Sequence, residues 1–335
     1  AAFMNLAILH NVLIPGAGKD ELDNLKQVEA ISAALARLGH RVHRFAFSLN
    51  LAAARDALRA LAPDLVFNLV ESVEGLDRLI YLAPALLDAL AIPYTGVPTP
   101  ALFLTTGKLL AKRLLRGEGL PTPPWLALGD PCDAMPFVPG RYILKSVWEH
   151  ASFGIDDKAL IEAAGPDELR RALDGRARRL GVEVFAELYI DGREFNLSLL
   201  ASEGGPRVLP PAEIRFVDYP QDKPKLVDYR AKWEEESFEY RNTPRSFDFA
   251  PQDGPLLEEL TRLAACCWGL FGLRGYARVD FRVDANGQPW ILEINANPCL
   301  TPDAGFAAAV QRAGLGYDQA IEALIRDALK GRESP

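Results

Sequence analysis

The residues best placed to do chemistry lie between Tyr276 and Pro302, in YARVDFRVDANGQPWILEINANPCLTP. Arg278, Asp280, Glu293 and Asn295 stand there among strongly apolar neighbours. Burying a charge without compensation is expensive, so these side chains either face water or grip something that offsets the cost. Side chains alternate between the two faces of a strand. Val279, Phe281 and Val283 therefore share one face, with Arg278, Asp280 and Arg282 on the other. In WILEIN the same rule groups Trp290, Leu292 and Ile294, and leaves Ile291, Glu293 and Asn295 opposite. Asn286-Gly287 supplies a hairpin turn between the two runs. If the apolar sets share the core, Arg278, Asp280, Glu293 and Asn295 converge. Oxygen ligands with no neighbouring His or Cys suit a hard divalent cation such as Mg2+, shared with phosphate oxygens. A solvated sheet face held by an Arg–carboxylate pair is the competing reading, and residue types alone leave both open. The loop Asn295-Ala296-Asn297-Pro298 at the strand end favours a ligand.

The elements that must position these groups fit a chain of 335 residues, 49% hydrophobic and 24% charged. That is room for two or three domains or one large α/β body. A net charge of -8 argues against a mainly nucleic-acid-binding role, because no basic surplus is available to neutralise phosphates, and leaves room for a local cationic pocket. The cysteines Cys132, Cys266, Cys267 and Cys299 lack zinc-ligand spacing and suit a reducing, cytoplasmic setting. No secretory leader pattern is visible, and no apolar run is long enough to span a bilayer.

The first third alternates strands and helices. NLAILHNVL, HRVHRFAF, PDLVFNLV and a short PYTG strand are separated by helices near Leu22–Leu38, Leu51–Leu61 and RLIYLAPALLDALA. This order predicts a small open parallel sheet. PGAGK is not a phosphate loop, since the required glycine and hydroxyl positions hold Leu13 and Asp20. From Thr105 a helix leads to the strand in RYILK, a helix over Asp167–Leu180, and the hairpin VEVFAELYI–DGRE–FNLSLLAS. Residues 218–252 are polar and poor in periodicity, which predicts a functional lid. A helix over Pro255–Phe271 precedes the acidic hairpin, and another closes the chain near Leu329.

The ordered fragments FNLVES, IPYTG, TGKLLAKRLLRGEGLPTPPW, YILK, FAELYIDGREF, DYRAKW and ARVDFRV…ILEINANPCLTP resemble the ATP-grasp superfamily, and most closely the D-alanine–D-alanine ligases. The resemblance implies an α/β plus α+β fold. An N-terminal open-sheet domain (4–104) would accompany two α+β subdomains (105–186 and 187–330) that clasp ATP. It implies phosphate-holding roles for Lys108, Lys145 and Lys232, since lysine is a mobile point charge suited to polyanions. Glu187 and Glu194 match carboxylates that meet the adenine amino group and ribose hydroxyls, with Tyr189 and Ile190 at the hinge beside the base. Ser152 and Gly154 match a loop covering the phosphates. Asp280, Glu293 and Asn295 become ligands for Mg2+, two ions with Mn2+ able to substitute. Arg278 faces the transferred phosphoryl group and the developing oxyanion. The backbone N–H of Cys299 matches an oxyanion donor; Cys299 as nucleophile has no His partner.

The implied activity is ATP-dependent ligation of a carboxylate to an amine through an acyl phosphate, on small amino acids or peptides. Departures mark the substrate end. Asp20 or Glu21 stands near the family's donor-binding glutamate, Glu71-Ser72 replaces the usual His-Gly, and Asp303-Ala304 replaces an acceptor-binding serine. These departures point to a different amino acid or peptide substrate. A true D-alanine–D-alanine ligase and an ATP-binding protein without turnover are the alternatives. Neither nucleic acid nor membrane is expected as a partner, and a homodimer stays open. An unrelated hydrolase is disfavoured by the absence of a GxSxG elbow.

Overall fold

The computed structural model describes residues 3–12, 19–129, 137–149, 155 and 159–330. The chain begins with β1 (Asn5–Asn11), α1 (Lys19–Arg37), β2 (Arg41–Phe47), α2 (Leu51–Leu61) and β3 (Leu65–Leu69), followed by α3 (Leu82–Ala89). These strands form a parallel sheet in the order β2-β1-β3. Alternation along β1 explains its two buried faces. Leu6 and Ile8 pack with Val28, Ile31 and Leu35 of α1, whereas Ala7 and Leu9 pack with Leu58 and Leu87. The expected PYTG strand is reduced to a single bridge, Val66 to Tyr94. Pro93 has no N–H to extend the ladder.

The next unit holds α4 (Thr99–Thr106), α5 (Lys108–Gly117), β4 (Trp125–Ala127), β5 (Gly140–Ser146), β6 (Leu160–Ala163), α6 (Pro166–Leu180) and β7 (Val184–Leu188). Its strands make an antiparallel sheet in the order β4-β7-β5-β6. Leu169 and Leu173 of α6 cover Tyr142, Leu144 and Ala186. The helix expected from Thr105 is two helices, interrupted at Gly107, where the backbone is extended.

The third unit contains β8 (Arg193–Ser202), β9 (Gly205–Val208), β10 (Ala212–Ile214), α7 (Tyr229–Trp233), α8 (Phe238–Arg241) and β11 (Arg245–Ser246). It continues through α9 (Gly254–Leu270), β12 (Tyr276–Val283), β13 (Pro289–Asn295), α10 (Gly305–Arg312) and α11 (Tyr317–Lys330). The sheet runs β11-β10-β8-β12-β13, with β9 on β8. Leu260, Leu263, Ala264 and Cys267 of α9 close one face over Phe195, Leu197, Val279 and Phe281. α11 returns to the first sheet, where Ile321, Leu324 and Ile325 join Leu6 and Ile8 in one core.

Two glycines fix turns at the site. Gly287, in the hairpin turn, has φ +78°, a left-handed conformation that asparagine-glycine turns favour. Gly192, between β7 and β8, has φ +149°, and a Cβ there would lie 1.9 Å from the Val283 carbonyl oxygen.

Candidate active site

The acidic hairpin forms, with one departure from simple alternation. Asp280 lies opposite Glu293 and Arg278 opposite Asn295, so all four expected groups reach one place. A bulge then shifts the register, and Phe281 pairs with Ile291. Ile291 and Ile294 consequently fill the core, whereas Trp290 and Leu292 remain only partly buried. The extra residue reverses the face on which the start of β13 was expected.

Arg278 donates to both oxygens of Asp280, at 2.7 and 2.8 Å, and Asn196 Nδ2 donates to Asp280 Oδ1 at 2.8 Å. Burial opposes the Arg278 charge most, yet Asp280, joined by Glu293 and Glu194, outweighs it and holds the guanidinium above its ordinary pKa. The Arg–carboxylate pair is therefore real, but it is not a solvated one. Carboxylates facing each other across a ladder repel, and Arg278 offsets that repulsion here.

Lys232, carried by α7, reaches the same groups. Burial lowers its pKa, while Glu293 pulls the other way and Arg278 adds repulsion. Asp228 caps α7 by accepting from Ala231 N at 2.9 Å, which fixes where Lys232 begins. The stretch expected as an irregular lid thus contains α7, α8 and β11.

On the opposing sheet, Lys145 Nζ lies 2.5 Å from Glu187 Oε1, and Lys112 Nζ lies 2.7 Å from Glu187 Oε2. Lys112 also donates to Thr122 Oγ1 at 2.7 Å and sits 5.1 Å from the centre of the Trp125 ring. Burial alone would raise the Glu187 pKa, but Lys112 and Lys145 together reverse that and lower it. Burial pushes Lys112 down to about 8, against the pull of Glu187. Lys108, first residue of α5, donates to the Glu149 carbonyl at 2.6 Å. Burial lowers its pKa, with Glu293 opposing.

Tyr189 and Ile190, which follow β7, are buried. Glu194 pairs with Arg282 at 2.8 Å, and Arg282 also donates to the Gly192 carbonyl at 3.2 Å and to the Lys225 carbonyl. Arg282 thereby ties the hinge turn to the segment preceding α7.

The substrate-side expectations fare unevenly. Ser152 and Gly154 lie outside the described residues, and Asp20 and Glu21 open α1, where described side chains begin one residue later. Glu71 accepts from Gln27 Nε2 at 2.8 Å; burial raises its pKa to about 7. Asp23, two residues beyond Glu21, meets Cys299 Sγ at 3.3 Å. Burial pushes the Cys299 thiol up to about 12, which keeps it protonated and unsuited to nucleophilic attack. Ala304 is the N-cap of α10 and caps no N–H through its side chain, with Asp303 preceding it.

Sequence reasoning missed Lys112, Asp23, Asn24, Gln27 and Asn297. Gln27 joins the Glu71 carboxyl to Leu300 N, and Asn297 accepts from Tyr276 Oη at 2.6 Å and donates to the Val70 carbonyl at 3.0 Å. The signal was present for the α1 residues: Asp23, Asn24 and Gln27 recur at helical spacing.

Among the described residues, no group of three or more His, Cys, Asp or Glu side chains is arranged to hold a metal ion. The expected set does not need one, since Asp280, Glu293 and the Asn295 amide are a two-acid, all-oxygen donor set. Asp280 Oδ1 accepts two bonds and Oδ2 only one, so Oδ2 keeps a lone pair for a cation beside the oxygens of Glu293 and Asn295, and the set fits a hard cation.

Two antiparallel sheets that bring lysines from one side against carboxylates and an arginine from the other make an ATP-grasp fold. The family model for the D-Ala-D-Ala ligase C-terminus matches residues 142–326. A D-alanine–D-alanine ligase of Moorella thermoacetica is 29% identical over 95% of this chain and 98% of its own length. One from Methylococcus capsulatus is 30% identical over 92% of each chain. The fold also matches the crystal structure of the Bacillus anthracis D-alanine–D-alanine ligase complexed with ATP. There the TM-score is 0.71 with 22% identity, over 98% of this chain and 99% of that one. The chain belongs to the D-alanine–D-alanine ligase family, ATP-dependent enzymes that form carbon–nitrogen bonds.

Proposed function

We propose that this enzyme joins the carboxylate of one small amino acid to the amine of a second, with ATP as the activating substrate. The observation that carries the reading is the meeting of Lys108, Lys145 and Lys232 with Arg278, Asp280 and Glu293 between the two sheets. A substrate carboxylate oxygen attacks the γ-phosphorus, the bond to the ADP oxygen breaks, and an acyl phosphate forms. The amine nitrogen then attacks the acyl carbon. The tetrahedral intermediate collapses, inorganic phosphate leaves, and nitrogen releases its proton. Lys108, Lys145 and Lys232 offset phosphate charge, and Arg278 with the Cys299 backbone N–H faces the developing oxyanion. Asp280, Glu293 and Asn295 would hold Mg2+. Bound there, as one ion or two, it neutralises phosphate charge and polarises the transferred group. Glu187 and Glu194, with Tyr189 and Ile190, form the nucleoside end. The units 105–186 and 187–330 clasp ATP, with 4–104 as the N-terminal α/β domain beside them.

D-alanine is the first substrate to test on both sides, because it is named in the relatives. A different amine substrate is favoured by Ala304, which brings no hydroxyl to the start of α10. Among the described residues, no helix is long and apolar enough to cross a membrane, and the substrates are small molecules. Hydroxylamine trapping tests the reading. Incubation with ATP, Mg2+ and a panel of D- and L-amino acids should yield an acyl hydroxamate and ADP for at least one acid. ADP release independent of any acid, or no hydroxamate across the panel, contradicts it.

A further inference from the structure

Arg245 lies within the field of Arg278 and Asp303, and nothing in the chemistry above uses it. The sheet register sets its face. Arg245 lies opposite Ile214, Ile214 opposite Glu194, and Glu194 opposite Arg282. Directly paired residues share a face of the sheet, so Arg245 stands on the side that carries Arg278, Asp280 and Arg282.

Its guanidinium lies flat along the start of α10. A Cβ added at Gly305 would fall 3.0 Å from Nη2, 3.3 Å from Cζ and 3.4 Å from Nε of Arg245. Glycine at 305 therefore leaves the space that the guanidinium fills. Neighbouring atoms strip water from the group, and Arg278 repels it; both lower its pKa, while Asp303 and Tyr240 oppose them.

The other arginines on or beside this face are tied down. Arg278 is paired with Asp280, Arg282 with Glu194, and Arg193 with Glu213 and Asp253. Among the described residues, none makes a hydrogen bond or ion pair with the Arg245 side chain. It keeps solvent access from its edge strand. Two guanidinium groups within each other's field, one of them unpaired, make a place where an anion is favoured. A guanidinium offers two parallel N–H donors, the geometry that a carboxylate accepts.

We infer that Arg245 is a specificity-determining residue that receives the carboxylate of the amine substrate. The inference rests on the ligase reading above. Arg278 faces the acyl carbon, and Arg245 lies beyond it toward Asp303 and Gly305, so the nucleophilic amine sits between them with its own carboxylate on Arg245. The substrate class is thus an amino acid or peptide with a free carboxylate near its amine, rather than a simple amine or an amide. Asp303 attracts the Arg245 charge from a distance without forming an ion pair with it.

The test uses the full chain and Arg245→Gln and Arg245→Lys variants, with the acid identified by the hydroxamate panel. Two amines are compared at fixed ATP: D-alanine, and D-alaninamide, which lacks the carboxylate. Coupling to each is read by product mass, and hydroxamate formation is read separately because hydroxylamine needs no carboxylate site. The expected result is that Arg245→Gln raises KM for D-alanine about 100-fold, with KM for ATP and hydroxamate formation unchanged. The preference for D-alanine over D-alaninamide should collapse in Arg245→Gln and return in part in Arg245→Lys. Normal hydroxamate formation with an unchanged KM for D-alanine overturns the role of Arg245 alone. Wild-type protein that forms no hydroxamate overturns the ligase reading and the role together.

Discussion

Replacing Lys112 with methionine isolates the buried charge network around Glu187. Methionine keeps most of the apolar stem against Trp125, so the change removes charge and hydrogen bonds rather than volume. Lys112 is 2% exposed and sits 2.7 Å from both Glu187 and Thr122. Two charge-assisted hydrogen bonds are lost, one of them also an ion pair, and Glu187 keeps only Lys145 as its cation. Breaking a fully buried pair costs about 3 to 5 kcal/mol. Because Lys145 remains, Lys112→Met should cost about 3 kcal/mol. Urea unfolding followed by tryptophan fluorescence measures this, and a cycle with Glu187→Gln isolates the coupling, expected at about 2 kcal/mol. The KM for ATP should rise as well, since the Glu187 carboxylate loses its fixed geometry. A cost under about 0.5 kcal/mol, or strict additivity in the cycle, would refute the claim that Lys112 holds Glu187.

Glu71 should make stability fall as pH rises. Its carboxyl goes from 4.5 to about 7 on folding, so between those values the unfolded chain has released a proton that the folded chain keeps. The cost is absent below pH 4.5, grows through that window and is complete above 7, with an upper limit of about 3 kcal/mol. Glu71→Gln should flatten the dependence in urea titrations at pH 5 and pH 8; an unchanged slope contradicts it. Asp280→Asn with Glu293→Gln should leave the fold intact and abolish the Mg2+ dependence of ATP affinity in calorimetry. Retention of that dependence would place the cation elsewhere.

Much of the hairpin was legible because a strand has a strict period of two and Asn286-Gly287 marks its turn. The bulge beyond Asp280 was not, since one extra residue on β13 leaves no compositional mark yet moves Ile291 into the core and Leu292 out of it. The first sheet could be read from its alternating segments, but the return of α11 onto it could not. That contact is long-range, and Ile321, Leu324 and Ile325 announce only an amphipathic helix. Lys112 was not singled out, although its spacing from Leu109 and Leu115 places it on the buried stripe of α5. Glu194 was legible as a site carboxylate through resemblance, whereas its partner Arg282 was seen only as one more charge on the strand. The polar stretch of residues 218–252 looked irregular because its helices are too short to show a period.

Oxygen transfer tests the central claim most directly. With the identified acid labelled with 18O in its carboxylate, and with ATP and the amine supplied, the inorganic phosphate released should carry one 18O atom per turnover. Only direct attack of the carboxylate on phosphorus moves that atom. Phosphate free of label, formed alongside amide product, would contradict an acyl phosphate.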